Sequence, residues 1–312
     1  MDLIAYDPAW LPQLAGLARV HGRLAPPGLV LEDVEVARGL AQHAFWPFYS
    51  PSVAGGETLL VVDGQDLLAA GQVGFAGHGW GYGAAPGDGP DWLFDVHLCL
   101  FWVFAWPGWR QSLEAAAFLA AQVVGGARSQ GLPGVEAFRG GPGFLPFGTQ
   151  LSSRWPHLRE PLRAAGFRQP RDLVVYTGPT DPEALPAADD EAAARGNVEF
   201  RVRRGRVEAW VDGEPVGVAS ALPLARGDSG SRPSDPRAVE WTVIRRLYVD
   251  PSARGRGIGT ALLAEQLRRA HTRGARRFLL HIPEGPDDAP AHGLYLKFGH
   301  VADVQQVLRV SF

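Results

Sequence analysis

The chain has one cysteine in 312 residues, Cys99, which excludes a disulfide framework and a cysteine-based metal centre. Its neighbours Leu98, Leu100 and Phe101 predict a small buried hydrophobe at that position. There is no excess of positive charge: 30 Lys and Arg stand against 33 Asp and Glu, a formal net charge of −3. A dedicated nucleic-acid binder is normally basic, so that class is set aside. Long hydrophobic runs are missing as well. The most apolar stretch, Leu98 to Pro107, falls far short of the roughly 20 residues a spanning helix needs. The opening MDLIAYDPAW has neither the basic region nor the apolar core of a secretory leader. These absences predict a cytoplasmic protein with no metal and no nucleic-acid or membrane partner. What is present is globular, with 46% hydrophobic and 20% charged residues. The length suits two domains.

The most informative stretch runs from Leu247 to Leu263, LYVDPSARGRGIGTALL. Val243, Leu247 and Val249 predict a strand that Asp250-Pro251 ends, because proline cannot donate to a ladder. Arg254, Gly255, Arg256, Gly257, Ile258 and Gly259 follow, and then a helix from Thr260 with apolar residues at helical spacing, closed near Gly274. A glycine-rich turn between a strand and a helix N-terminus suits a phosphate. Glycines allow close backbone approach, and the free amides and helix dipole favour negative charge. A P-loop would need Lys-Ser or Lys-Thr after the last glycine, and Gly259-Thr260 does not supply it. A dinucleotide fingerprint would need glycine in place of Thr260.

The stretch resembles the Arg/Gln-x-x-Gly-x-Gly/Ala motif of the GNAT acyltransferase superfamily, with Arg254, Gly257 and Gly259 in the motif positions. A second segment, Ala291 to His300, resembles the family's Asn-x-x-Ala-x-x-x-Tyr-x-x-x-Gly-Phe run. Ala291, Tyr295 and Gly299 match it, whereas Asp288 replaces Asn and His300 replaces Phe. The resemblance implies that Arg254, Gly255, Arg256, Gly257, Ile258, Gly259 and Thr260 hold the pyrophosphate of acetyl-CoA. It implies that pantetheine pairs along Leu247, Tyr248 and Val249, with a backbone N–H there facing the acyl oxygen. It also implies that Tyr295 protonates the leaving thiolate.

The same element order is legible twice. In the first half, Trp10 to Val20 and Leu31 to Phe45 have helical spacing, so residues 1 to about 55 read as helical with breaks. Strands at 59–62 and 67–75 flank Asp63-Gly64, a hairpin signal. A buried strand over 93–105, a helix over 112–127 and strands at 134–138 and 173–176 follow. In the second half, strands at 207–211 and 216–222 flank Asp212-Gly213. The strand to Val249, the helix from Thr260, a strand at 278–282, the Tyr295 helix and a last strand at 304–310 complete it. Such repetition predicts two GNAT-like folds in tandem. The fold class is therefore α/β (α+β), each fold a mixed, mostly antiparallel twisted sheet flanked by helices. Domain limits of 1–178 and 179–312 follow, joined by the Pro-, Ala- and acid-rich stretch 179–196. The copies are unequal. The first has Trp106-Pro107-Gly108-Trp109-Arg110-Gln111 where the second has its glycine turn, with bulky Trp109 against close approach and Leu162 in place of Tyr295. The second lacks the helical pair that precedes the first hairpin.

Acyl transfer to an amine needs a base for the amine proton, a donor for the acyl oxygen and an acid for the sulfur. Glu240, at the start of the long strand, and His281, on the next strand, are the candidate bases; each also reads as an ordinary strand residue. Arg268, Arg269, Arg273, Arg276 and Arg277 read as a solvated helix face. Trp92, Trp102, Trp106 and Trp109 read as core. The expected activity is an N-acyltransferase moving an acetyl or other short acyl group from acyl-CoA to a small-molecule or peptide amine in a ternary complex. The alternative is a non-catalytic acyl-CoA-binding sensor or subunit, and a dinucleotide-dependent oxidoreductase is a remote third. The sequence leaves the oligomeric state open, a homodimer included.

Overall fold

Gly64-Gln65, one residue past the expected Asp63-Gly64, and Asp212-Gly213 each close an antiparallel hairpin, and the sheets grow outward from these. The structure is a computed structural model that describes residues 1–25, 31–41, 56–76, 97–138, 150–186, 198–203, 205–224, 240–283 and 289–312. The second turn has φ of 51° at Asp212 and 87° at Gly213, the pair of positive values that a two-residue hairpin loop demands. Trp92, the loop from Ala76 to Asp91 beyond its first residue and the polar loop over 225–237 lie outside the described residues.

The described residues divide into two units, Met1–Leu173 with Asp303–Phe312, and Val174–Ala302. In the first, β1 (Asp2–Ala5), β2 (Glu57–Asp63), β3 (Asp66–Ala76) and β4 (His97–Ala105) pair antiparallel in sequence order. Strand β5 (Gly134–Ala137) is parallel to β4. Two short additions are β6 (Leu151–Ser152) and the end of β13 (His300–Ser311), which pairs with both β5 and β6. Helices α1 (Leu11–Leu24) and α2 (Asp33–Ala41) lie between β1 and β2 in sequence, and α3 (Arg110–Ser129) and α4 (Arg159–Ala164) follow β4 and β6. Helix α3 buries Ala115, Ala116, Leu119, Ala120, Val123 and Val124, a stripe at helical spacing against the strands.

In the second unit the strand order is β7-β12-β11-β10-β9-β8. Here β7 is Arg168–Pro179, β8 Glu199–Arg203, β9 Arg206–Val211, β10 Glu214–Leu224, β11 Trp241–Val249 and β12 Arg277–Pro283. Helix α5 (Ile258–Thr272) packs on β9, β10 and β11, and α6 (Ala289–Leu296) carries Tyr295. Two residues separate the paired Arg203 and Arg206 that end β8 and begin β9, the second of them Gly205 at φ 81°. The second copy therefore has a tight turn where the first has α1 and α2.

The structure differs from the sequence reading in places. Residues 2–5 form a strand, although the first 55 or so read as helical. Four residues carry no measurable period, and the pairing of Leu3 with Val61 and Ile4 with Leu60 decides the matter. Strands β6 and β8 were likewise not expected. Set beside the expected junction at 178/179, the chain leaves the first unit inside β7, between Leu173 and Val174. It returns inside β13, between Ala302 and Asp303. Gly299 has a reason beyond the turn it follows: a Cβ there would lie 2.0 Å from the Thr177 carbonyl oxygen, so only glycine lets α6 hand the chain so closely past β7. No helix among the described residues is long and apolar enough to cross a membrane.

Candidate functional site

β11 pairs antiparallel with β10 along its whole length, but the register slips. Ala221 faces Ile244, and Ser220 faces Arg246, so Arg245 is an extra residue. Such a bulge bends its strand and re-aims it. On its other side β11 runs parallel to β12 from Trp241↔Arg277 only to Ile244↔Leu280. The pairing stops at the residue before the bulge, while β11 continues to Val249 and β12 to Pro283. The two strands thus part into an open V. Leu247, Tyr248 and Val249 lie on its β11 arm, with Tyr248 43% exposed. Their edge toward β12 has no ladder partner in that strand, so their backbone is available to an added extended chain.

The glycine turn sits at the open end of the V. Asp250 caps a short 3-10 turn, Pro251–Ala253, by accepting from the Ser252 amide at 2.9 Å and hydroxyl at 2.5 Å. Those bonds hold its carboxyl below the usual carboxylate range. Arg254 is exposed and donates from Nε to the Val249 carbonyl at 3.1 Å, tying turn to strand. Gly255 and Gly257 have φ of 76° and 79°, a region costly for side chains. Arg256 between them is exposed, Ile258 is buried beneath, and Thr260 is half-buried. Gly257 is the N-cap and brings no capping side chain. The first helical bond is Ala261 N–H to the Gly257 carbonyl, so the amides of Ile258, Gly259 and Thr260 precede the ladder. A Cβ on Gly259 would meet Leu294 and Val249 at 3.6 and 3.7 Å, ordinary contact, so glycine or alanine fits.

Tyr295 is 5% exposed and shares one apolar cluster with Ile244 and Leu280, the last paired residues of the V, and with Leu247 and Ile282 beyond it. Its ring lies 5.6 Å from that of Tyr176 on β7, whose hydroxyl is hydrogen bonded at 2.5 Å to His292 Nδ1. His281 is the first residue of β12 past Leu280. Strand alternation puts it on the face opposite Phe278, Leu280 and Ile282, which cluster with Tyr295. The structure therefore brings the turn, the V, Tyr295 and His281 to one region. It does not bring Glu240 there. Glu240 is exposed at the paired end of β11, its carbonyl accepting the Arg276 and Arg277 amides, roughly 16 Å along the strand from the bulge. Arg268 and Arg269 pair with Glu265 near the other end of α5. Tyr176 and His292 were missed. Their only sequence signal is an aromatic on a strand and a histidine one helical turn before Tyr295, and nothing in the sequence pairs them.

Residues 173–300 match the profile of the acetyltransferase (GNAT) family. The match spans less than half of the chain. No curated protein sequence matches the chain. Among solved structures, the glucosamine N-acetyltransferase region of a fungal multi-domain beta-N-acetylglucosaminidase is similar at TM-score 0.68 and 12% identity, over 99% of this chain and 38% of that one. This chain thus spans well under half of that protein. A tandem GNAT protein from the clavulanic acid biosynthesis pathway is similar at TM-score 0.60 and 15% identity, over 99% of this chain and 98% of that one. A GCN5-related N-acetyltransferase from Sphaerobacter thermophilus is similar at TM-score 0.62 and 18% identity, over 99% and 95%. At such identities the likeness is one of fold, and it supports two GNAT-like folds in tandem.

The first GNAT-like fold keeps the bulge but fills the opening. Gln72 faces Trp102 and Val73 faces Leu100, so Phe101 is the extra residue, and β4 pairs with β5 only as far as Leu100↔Ala137. Beyond that point Trp102, Phe104, Phe138 and Trp155 are buried, with His21 stacked on Phe104 at 4.1 Å. The turn that follows has fewer donors to offer, although the amides of Arg110, Gln111 and Ser112 precede the α3 ladder, whose first bond is Leu113 N–H to the Trp109 carbonyl. The Trp106 amide donates to Ser112 Oγ at 2.6 Å, the Trp109 amide reaches the Trp106 carbonyl at 3.4 Å, and Pro107 has no N–H. Trp109 is 39% exposed, whereas the Trp106 indole donates inward to the Leu67 carbonyl at 2.9 Å instead of covering the turn. Cys99 is buried as expected.

His21 is fully buried, its Nδ1 on the Leu17 carbonyl at 2.9 Å and its Nε2 3.1 Å from His157 Nε2. Burial pushes its pKa down to about 3, and burial also lowers His157. The unfolded chain takes up a proton that the folded chain excludes. Stability is therefore full above the ordinary histidine pKa of about 6.5 and is lost as pH falls toward about 3. The expected loss at pH 4 is about 3 kcal/mol. Urea melts between pH 7 and 4 check this. His21→Leu should flatten the slope, and an unchanged slope in that variant would refute the assignment.

Proposed function

We propose that the chain is an acyl-CoA-dependent N-acyltransferase whose reaction takes place in the second fold. The single observation that carries this reading is the V between β11 and β12 opening onto the glycine turn. Strand edge and anion cradle adjoin, which suits a ligand that is an extended amide chain at one end and a pyrophosphate at the other. When bound, acetyl-CoA supplies an acyl group already activated as a thioester. In this reading the amides of Gly257 to Thr260, with Arg254 and Arg256, hold the pyrophosphate. The β11 arm at Leu247, Tyr248 and Val249 pairs with pantetheine and turns an N–H toward the acyl oxygen, where negative charge develops. Tyr295 gives a proton to the departing sulfur. His281, on the other face, takes the proton of the attacking amine, a role that suits an imidazole. Glu240 is not carried forward as a base, because it stands at the paired end of the strand. The acceptor is a small-molecule or peptide amine, and the setting is cytoplasmic.

The filled opening of the first fold and the loss of glycines from its turn support one coenzyme per chain. Calorimetric titration with acetyl-CoA should give a single site. Thiol release against a panel of amines then tests transfer: binding without release with any amine would make the chain an acyl-CoA-binding sensor. Two equivalent sites would show that the first fold still binds.

A further inference from the structure

Tyr295 is almost fully buried, yet an acid must recover its proton after each turnover. Tyr176 and His292 lie beside it in an arrangement that solves this. Tyr176, on β7, is 1% exposed, its ring 5.6 Å from that of Tyr295, and its hydroxyl meets His292 Nδ1 at 2.5 Å. His292 precedes Tyr295 by one turn of α6, on the same side of the helix, and is half-buried, between the buried pair and solvent. A buried phenol needs a partner, but a carbonyl would serve for packing alone. An imidazole also passes protons, because it can release one from Nδ1 while taking one up at Nε2.

Resting on the acyl-transfer reading above, we propose that His292 and Tyr176 form a proton relay that recharges Tyr295. In the reaction the C–N bond forms, the C–S bond breaks, and the sulfur takes the hydroxyl proton of Tyr295. The phenolate takes the hydroxyl proton of Tyr176, which takes the Nδ1 proton of His292, whose Nε2 takes one from water; proton exchange of the half-buried imidazole with water then returns the proton to Nδ1 before the next turnover. One proton enters from solvent on this side, and the amine's proton leaves through His281 on the other face, so the sum is neutral. Tyr176 acts through its neighbours and is a positioning residue in this scheme. Among the described residues, the titratable group in contact with His292 is Tyr176 from β7, and Tyr295 follows one turn later on its own helix. α6 has no acidic residue in its first turn and no basic one in its last. Where α5 comes near it, at Gly259 beside Leu294, neither residue carries a charge.

The test compares Tyr176→Phe, His292→Gln and the double variant with the parent, read as thiol release from acetyl-CoA with the best amine of the panel. His292→Gln keeps an acceptor for the Tyr176 hydroxyl and cannot titrate, so it guards against a folding defect in the buried variant. Each single variant should lower kcat roughly 10-fold or more, leave KM for acetyl-CoA unchanged and displace the basic limb of the kcat–pH profile. The double variant should be no slower than the singles, since both break one path. Unchanged kcat and profile in His292→Gln, while Tyr295→Phe is slow, would overturn the relay alone. Normal turnover in Tyr295→Phe would overturn the relay together with the acid it serves, whereas no thiol release by the parent with any amine would overturn the transfer reading and the relay with it.

Discussion

Gly257→Trp is expected to abolish acetyl-CoA binding while the chain still folds. The position has φ 79° and starts α5 at the open end of the V. An indole there occupies the space a pyrophosphate would fill and draws the helix amides off their aim. The positive φ adds about 1–2 kcal/mol of strain, which the burial of Ile258, Leu262, Leu263 and Leu267 beneath the same helix withstands. Calorimetry should show affinity lowered at least about 100-fold, a loss near 3 kcal/mol, with the melting transition retained. Gly259→Ala is the control, since a Cβ there makes only ordinary contacts with Leu294 and Val249. It should bind as the parent does. Unchanged affinity in Gly257→Trp would remove the pyrophosphate from this turn.

Tyr295→Phe should lower turnover by roughly 10²–10⁴-fold, the usual worth of a positioned acid, with coenzyme affinity little changed. The substitution removes one oxygen from a side chain that otherwise packs among Ile244, Leu263, Leu280 and Phe298, so the apolar cluster keeps its shape. A drop in kcat with constant KM would mean an interaction made only as the sulfur departs. Near-normal turnover would mean that water or another group protonates the sulfur.

The glycine turn was legible because local chemistry fixes it, whereas Tyr295 stood out only through the resemblance of the Ala291 to His300 segment to the family's run. A glycine that must take positive φ, a proline that ends a strand and a helix that starts without a side-chain cap are visible residue by residue. So were the hairpins, one residue out at Gly64-Gln65 and in place at Asp212-Gly213, and the long helices, whose apolar stripes repeat every turn. The inequality of the copies was legible in kind: the loss of glycines at Trp106-Pro107-Gly108-Trp109 was visible. That Trp106 turns inward, and that Phe104, Trp155 and His21 fill the opening, was not.

What the sequence by itself determined about this protein is most of its elements, their repeated order and the glycine turn between β11 and α5, since each rests on contacts among residues close in the chain. Only the tertiary structure decided where β11 and β12 part. A bulge is a count of residues against a partner strand, and Arg245 is extra only because Ser220 and Ala221 sit opposite its neighbours. The same holds for Glu240, a reasonable base by residue type that the strand's length carries to the paired end. It holds most of all for Tyr176 and His292. The 116 positions that separate them carry no period linking one to the other, and only the packing of β7 against α6 brings phenol and imidazole within hydrogen-bonding distance beside Tyr295.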